Sequence, residues 1–210
     1  MSGRRIRDRF ALARPWEGYF QLFREVTTQR SQVDELTVIS QMPCRTRDVL
    51  RLHVASRDLK AVVSVDLVLA RLAIVQGSVR HQLRLRLTNG DIDLPSVLAG
   101  DDVLCTLERS TPVSALNIGT GGCLLETECA VEPGTTGVVA LRVERTWRTD
   151  DVRVTRCQNI EGAGGRVNLG AQFLWTMQPG PTSLRRFVFE IHQLQAQGVQ
   201  GRGELAWEYR

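Results

Sequence analysis

Lysine is almost missing from this chain of 210 residues: Lys60 stands alone, and the other 26 of the 27 basic side chains are arginine. Aromatic residues are also few, at 6%, with only two tyrosines. Single-stranded nucleic acids are gripped on rows of aromatic side chains, and the β-rich segments offer no such row. No run approaches the ~20 consecutive apolar residues that cross a bilayer as a helix. The opening residues Met1–Arg9 are basic with no apolar stretch behind them, so a secretory leader is not expected and a cytoplasmic location is. The three histidines, His53, His81 and His192, have no cysteine or glutamate at ligand spacing, and no Gly-x-Ser-x-Gly, phosphate loop or paired-carboxylate motif is present. Neither an enzyme nor a metal or cofactor site is therefore expected. The five cysteines are odd in number, and Cys123 and Cys129 lie further apart than the two-to-four-residue gaps of zinc sites. They read as buried, reduced thiols behaving as small hydrophobes.

What is present is enough to fold. Hydrophobic residues make up 42% and charged residues 24%, a balance that supports a packed core. The length fits one large or two small domains. The net charge is +4, and arginine forks onto phosphates and guanine edges better than lysine does. An anionic partner is compatible with this charge.

Four segments follow from the patterning. Residues 1–33 read as a basic arm and an amphipathic helix: Trp16, Tyr19, Phe20, Phe23 and Val26 recur at helical spacing behind Pro15. Residues 34–101 read as a smaller, mainly β domain. There Leu50–Val54 and Val79–Leu87 alternate with period two, which puts Arg80, Arg84 and Arg86 on one strand face. Thr88–Asp91 signals a turn, and the nearly all-apolar Ala61–Val75 is either two buried strands or a helix. A boundary is expected near Ala99–Asp102. Residues 102–197 read as six short strands, the first two being Val103–Leu107 and Pro112–Ile118, with a hairpin around Thr149–Asp151. A closing helix follows from Thr182 or Ser183, with Leu184, Phe187, Val188 and Ile191 on one face. The tail 198–210 carries Trp207 and Tyr209 on one strand face and is expected to dock.

Leu116-Asn117-Ile118-Gly119-Thr120-Gly121-Gly122-Cys123-Leu124-Leu125, then Val154–Arg156, Leu169–Leu174 and Leu184–Ile191, resemble in order and spacing the glycine turn, late strands and closing helix of the PilZ family. The resemblance covers about half of the chain. It implies a C-terminal six-stranded β-barrel with a closing helix, and a regulatory role as a cyclic di-GMP receptor or adaptor. Such a bacterial protein would control motility, adhesion or polysaccharide systems through a protein partner. Guanidinium groups would fork onto the ligand's phosphates and guanine edges, and glycines would let the backbone approach. The implied ligand-binding residues are Asn117, Gly119, Gly121 and Gly122, with Arg80 and Arg84 as the clamp. Gly119 stands where the family has serine, and the clamp's usual place, just before the first barrel strand, holds no arginine between Ile92 and Asp102. The Arg-x-x-x-Arg pairs that do occur are Arg5/Arg9, Arg47/Arg51 and Arg80/Arg84, about as many as chance would place. Two other readings are a ligand-independent protein adaptor and, from Arg4, Arg5, Arg7 and Arg9 with the Arg80/Arg84/Arg86 face, a nucleic-acid binder.

Overall fold

The structure, a computed structural model, describes residues 9–209 apart from 33, 47, 58, 89–93, 99–101, 163, 176–178 and 197–206. The fold is mainly β, with eleven strands and two helices among the described residues. In chain order these are β1 (Arg9–Ser31), β2 (Glu35–Ser40), β3 (Val49–Ala55), β4 (Lys60–Val75), β5 (Ser78–Leu87), α1 (Leu94–Leu98) and β6 (Leu104–Gly119). They continue as β7 (Gly122–Thr127), β8 (Thr136–Val143), β9 (Thr146–Asn159), β10 (Val167–Phe173), α2 (Leu184–Ala196) and β11 (Trp207–Tyr209).

The chain forms two compact units: residues up to Gln21 together with those from Thr111 onward, and Leu22–Ser110 between them. Strands β1 and β6 each run through a boundary and supply a stretch to both units.

In the first unit the strands lie in the order β6–β7–β10–β9–β8, and β1 pairs with both β6 and β8. The sixth strand of this barrel is therefore β1, in register Gly18 to Leu141 and Gln21 to Val138. Three expectations are corrected here. Pro15–Arg30 is strand, not helix: Trp16, Phe20 and Leu22 are buried, while Tyr19 (36% exposed) and Phe23 (38%) face the other way. The aromatic spacing satisfied a helical period, but the period-two subset is the one that meets the core, and pairing with β8 decides between them. Gly18 contributes, because a Cβ there would overlap the carbonyl oxygen of Ala140. Val103–Leu107 and Pro112–Ile118 are not separate strands but parts of β6, of which Leu104–Ser110 belongs to the other unit. The hairpin lies at Glu144–Arg145, with Glu144 in the left-handed region (φ 54°), and Thr149–Asp151 is inside β9.

Asp150 has another task. Its Oδ2 accepts from the Ser183 hydroxyl (2.7 Å) and the Arg185 amide (2.6 Å), while the Ser183 oxygen accepts from the Arg186 amide (3.1 Å). These bonds satisfy donors at the start of α2. The helix then buries Leu184, Phe187, Val188 and Ile191, with Phe187 tilted against Trp16 at 6.1 Å and under the Arg148 guanidinium. The closing helix forms as its apolar stripe predicts. The tail pairs as β11 with Phe10–Leu12 of β1.

In the second unit the order runs from the Thr27–Ser31 stretch of β1 through β2, β5, β4 and β3 to the Leu104–Ser110 stretch of β6. Leu36, Val38, Leu52, Val54, Leu83, Leu85 and Leu107 form its core. Ala61–Val75, for which the sequence left strands and a helix open, lies within the single strand β4, hairpinned to β5 by Gln76–Gly77. Buried Glu108 is held by His53 Nε2 (2.8 Å), the Ser110 hydroxyl (2.9 Å) and Arg51 (3.4 Å), so this histidine has a structural partner. The expected turn at Thr88–Asp91 and boundary at Ala99–Asp102 fall largely outside the described residues.

Candidate functional site

The glycine turn folds as the hairpin β6–β7, with Ile118 opposite Cys123 and Gly119 opposite Gly122. Its tip is tied to β10, because the Phe173 amide donates to the Gly121 carbonyl (3.1 Å). Gly122 has a φ of +154°, and a Cβ there would overlap the carbonyl oxygen of Ala171. Only glycine lets the turn sit this close to its neighbour.

Two register shifts flank the turn. On β6, Ala115 pairs with Leu125 and Asn117 with Leu124, so Leu116 is an extra residue. On β9, Arg156 pairs with Gly170 and Val154 with Ala171, so Thr155 is extra. An extra residue bends its strand and re-aims the side chains beside it. Arg156 is thereby laid across Gly170, where a Cβ would come within 2.7 Å of the arginine Cγ. The Thr155 hydroxyl donates to the Gly170 carbonyl (3.0 Å), fixing the bulge.

Gly119, Gly121, Gly122, Thr155, Arg156, Gly170 and Gln172 line a cavity of about 110 Å³ between these elements. Pockets for drug-sized molecules are typically ~300–1,000 Å³. This one suits the edge of a base or a phosphate, with the rest of a ligand lying outside. Its polar equipment is one cation, a hydroxyl, an amide side chain and a bare backbone. Cys123, also on its wall, is inert, because burial pushes its thiol up to about 12. Burial also raises Cys44 to about 12 and lifts Cys105.

Of the residues singled out in the sequence, Gly119, Gly121 and Gly122 converge on this cavity. Asn117 is half-buried at the β6 bulge, beside the turn. Arg80 and Arg84 belong to the other unit, on the outer face of β5. There Arg84 lies 3.7 Å from Glu35, and Arg86, 3.2 Å away, shares that carboxylate. Arg5 lies outside the described residues, and Arg9 opens β1. Sequence reasoning did not select Arg156, Thr155, Gly170 or Gln172 as site residues. The available signal was a glycine inside a strand, which marks a bulge or a close approach.

No protein-family model matches the chain, and no curated protein does. Among solved structures it is similar to MrkH of K. pneumonia in complex with c-di-GMP, at 12% identity over 89% of this chain and 88% of that one, with a TM-score of 0.30. Against MrkH in its apo state the values are 14%, 88%, 88% and 0.33. The PlzA protein of Borreliella burgdorferi in complex with c-di-GMP matches at 12% identity, over 84% of this chain and 86% of that one, with a TM-score of 0.26. No helix among the described residues is long and apolar enough to cross a membrane.

Proposed function

We propose that this protein is a non-enzymatic receptor for cyclic di-GMP, with the ligand seated on the β6–β7 turn of the first unit. The observation that carries the reading is Arg156, next to the bulge residue Thr155 of β9 and laid over Gly170 beside the bare backbone of Gly121–Gly122. A guanidinium over a Cβ-free floor can fork onto a phosphate or the O6/N7 edge of guanine and can stack on the base plane. The PilZ resemblance supplies the ligand class.

That resemblance also puts an arginine pair just before the first barrel strand. Because β1 belongs to this unit, Arg5-Ile-Arg-Asp-Arg9 occupies that place in the chain. We assign the clamp to Arg5 and Arg9 rather than to Arg80 and Arg84. Calorimetric titration with cyclic di-GMP tests the assignment. Arg156→Ala and the pair Arg5→Ala/Arg9→Ala should each weaken binding at least about tenfold, as expected for a lost charge-assisted contact, while Arg80→Ala/Arg84→Ala leaves it unchanged. Absence of binding by the unaltered protein overturns the reading.

A second observation favours a protein partner. Tyr19 of β1 and Trp147 of β9 stack at 5.9 Å, and Trp147 is 46% exposed. Solvent-exposed aromatics of this kind are enriched in protein interfaces. An adaptor that used this face alone would capture its partner with or without nucleotide.

A further inference from the structure

We infer that the tip of the β4–β5 hairpin is a contact site for an anionic lipid surface. One face of the hairpin carries Leu83 and Leu85, both fully buried in the second unit's core. Cross-strand register continues this face outward through Leu72 opposite His81 and Ile74 opposite Val79, before the Gln76–Gly77 turn. The apolar pattern does not stop where the core does. Leu72 is 72% exposed, Ile74 81% and Val79 65%. Three aliphatic side chains gathered on one exposed face are more than the scattered single hydrophobes of an ordinary surface.

The charge around them has one sign. From Leu67 to Leu87 the chain holds Arg71, Arg80, Arg84 and Arg86 and no acidic residue. Glu35 serves Arg84 and Arg86, which leaves Arg71 and Arg80 as the guanidinium groups nearest the tip. Strands advance about 3.3 Å per residue, so Arg80 stands roughly 10 Å from the turn at Gly77. Amphipathic elements embed to about 5–10 Å at a bilayer interface. A tip that enters the acyl boundary with Ile74 and Val79 therefore leaves Arg80 at the level of the lipid phosphates. Leu72 lies one residue and Arg71 two residues further from the turn, where a long arginine stem can reach the same layer.

This charge complementarity selects the occupant. A nucleic acid would meet the arginines but offers no apolar phase for Leu72, Ile74 and Val79.

Co-sedimentation of the full chain with lipid vesicles tests the inference, independently of nucleotide binding. The protein should pellet with vesicles of phosphatidylcholine mixed with phosphatidylglycerol, and not with phosphatidylcholine alone. Leu72→Ser/Ile74→Ser and, separately, Arg71→Gln/Arg80→Gln should each weaken that retention at least about tenfold, with circular dichroism unchanged because these side chains lie outside the core. Failure to pellet, or retention of either variant equal to that of the unaltered protein, overturns it. So does tighter binding to duplex DNA than to the anionic vesicles, or a concentration-dependent dimer that Leu72→Ser/Ile74→Ser abolishes.

Discussion

Replacing Gly18 by alanine changes protein stability in opposite directions for a strand and a helix at this position. In a helix interior, alanine is favoured over glycine by about 1 kcal/mol, so a helical segment would gain stability. In the barrel, Gly18 faces Leu141 of β8, and an added Cβ would occupy the space of the Ala140 carbonyl oxygen. That obstacle is backbone held in a ladder with β9 on its far side, where Ala140 pairs with Thr149. It cannot turn aside as a side chain would, so the strands must separate locally. Overpacking of a well-packed site costs about 1–3 kcal/mol, and a backbone obstacle belongs at the upper end, at roughly 2–3 kcal/mol. For a chain of this size each kcal/mol moves the thermal midpoint by about 2–4 °C. Gly18→Ala should lower the midpoint by roughly 4–12 °C, read by calorimetry or by circular dichroism of the β signal. An unchanged or raised midpoint would refute the pairing of β1 with β8, and with it the identity of the sixth strand.

Other outcomes follow from the site and its supports. Gly170→Ala should displace Arg156 and weaken cyclic di-GMP binding in calorimetric titration, in parallel with Arg156→Ala, because both disturb the same guanidinium; full affinity in Gly170→Ala would detach Arg156 from the ligand. Asp150→Ala removes the acceptor of two hydrogen bonds at the start of α2 and should cost about 1–2 kcal/mol in chemical denaturation, whereas loss of nucleotide affinity without loss of stability would give Asp150 a different role. Burial holds the Cys44 and Cys123 thiols at about 12 against an ordinary thiol value of 9.0. Their folded-state pKa is raised, so their contribution to stability is intact below pH 9 and is lost as pH rises toward 12. At neutral pH a thiol reagent should modify half-exposed Cys129 and Cys157 first, and early labelling of Cys123 would contradict its burial.

Much of the β architecture was legible because alternation is a local signal. Leu50, Leu52 and Val54 announced β3, and Leu184, Phe187, Val188 and Ile191 announced α2. The errors fell where two periods shared the same residues. Trp16, Phe20 and Val26 fit both a helical stripe and a strand face, and only the presence of β8, far along the chain, settles the choice. Leu104–Leu107 and Pro112–Ile118 run on as one long strand, because a proline can sit inside a strand where its missing donor is not needed. The glycine turn could be read directly, since glycine pairs mark turns. Arg156 could not: its place over Gly170 depends on the extra residue Thr155, a register shift that no periodicity shows.

The placement of Leu22–Ser110 between β1 and the rest of the barrel constrains the order of folding. That unit is continuous in sequence, and its first hairpins close over short loops, so it can form as soon as it has been synthesised. β1 must instead wait for β8, its partner roughly 120 residues later. Contacts this distant in sequence slow folding, since loop closure is opposed by entropy before any pairing rewards it. During that interval the Val138–Leu141 edge of β8 and the Gly18–Gln21 edge of β1 are both unpaired. Such edges recruit other chains. The kinetic hazard of this molecule therefore lies in the barrel unit, and conditions that delay closure of β1 onto β8 should favour aggregation over a soluble intermediate.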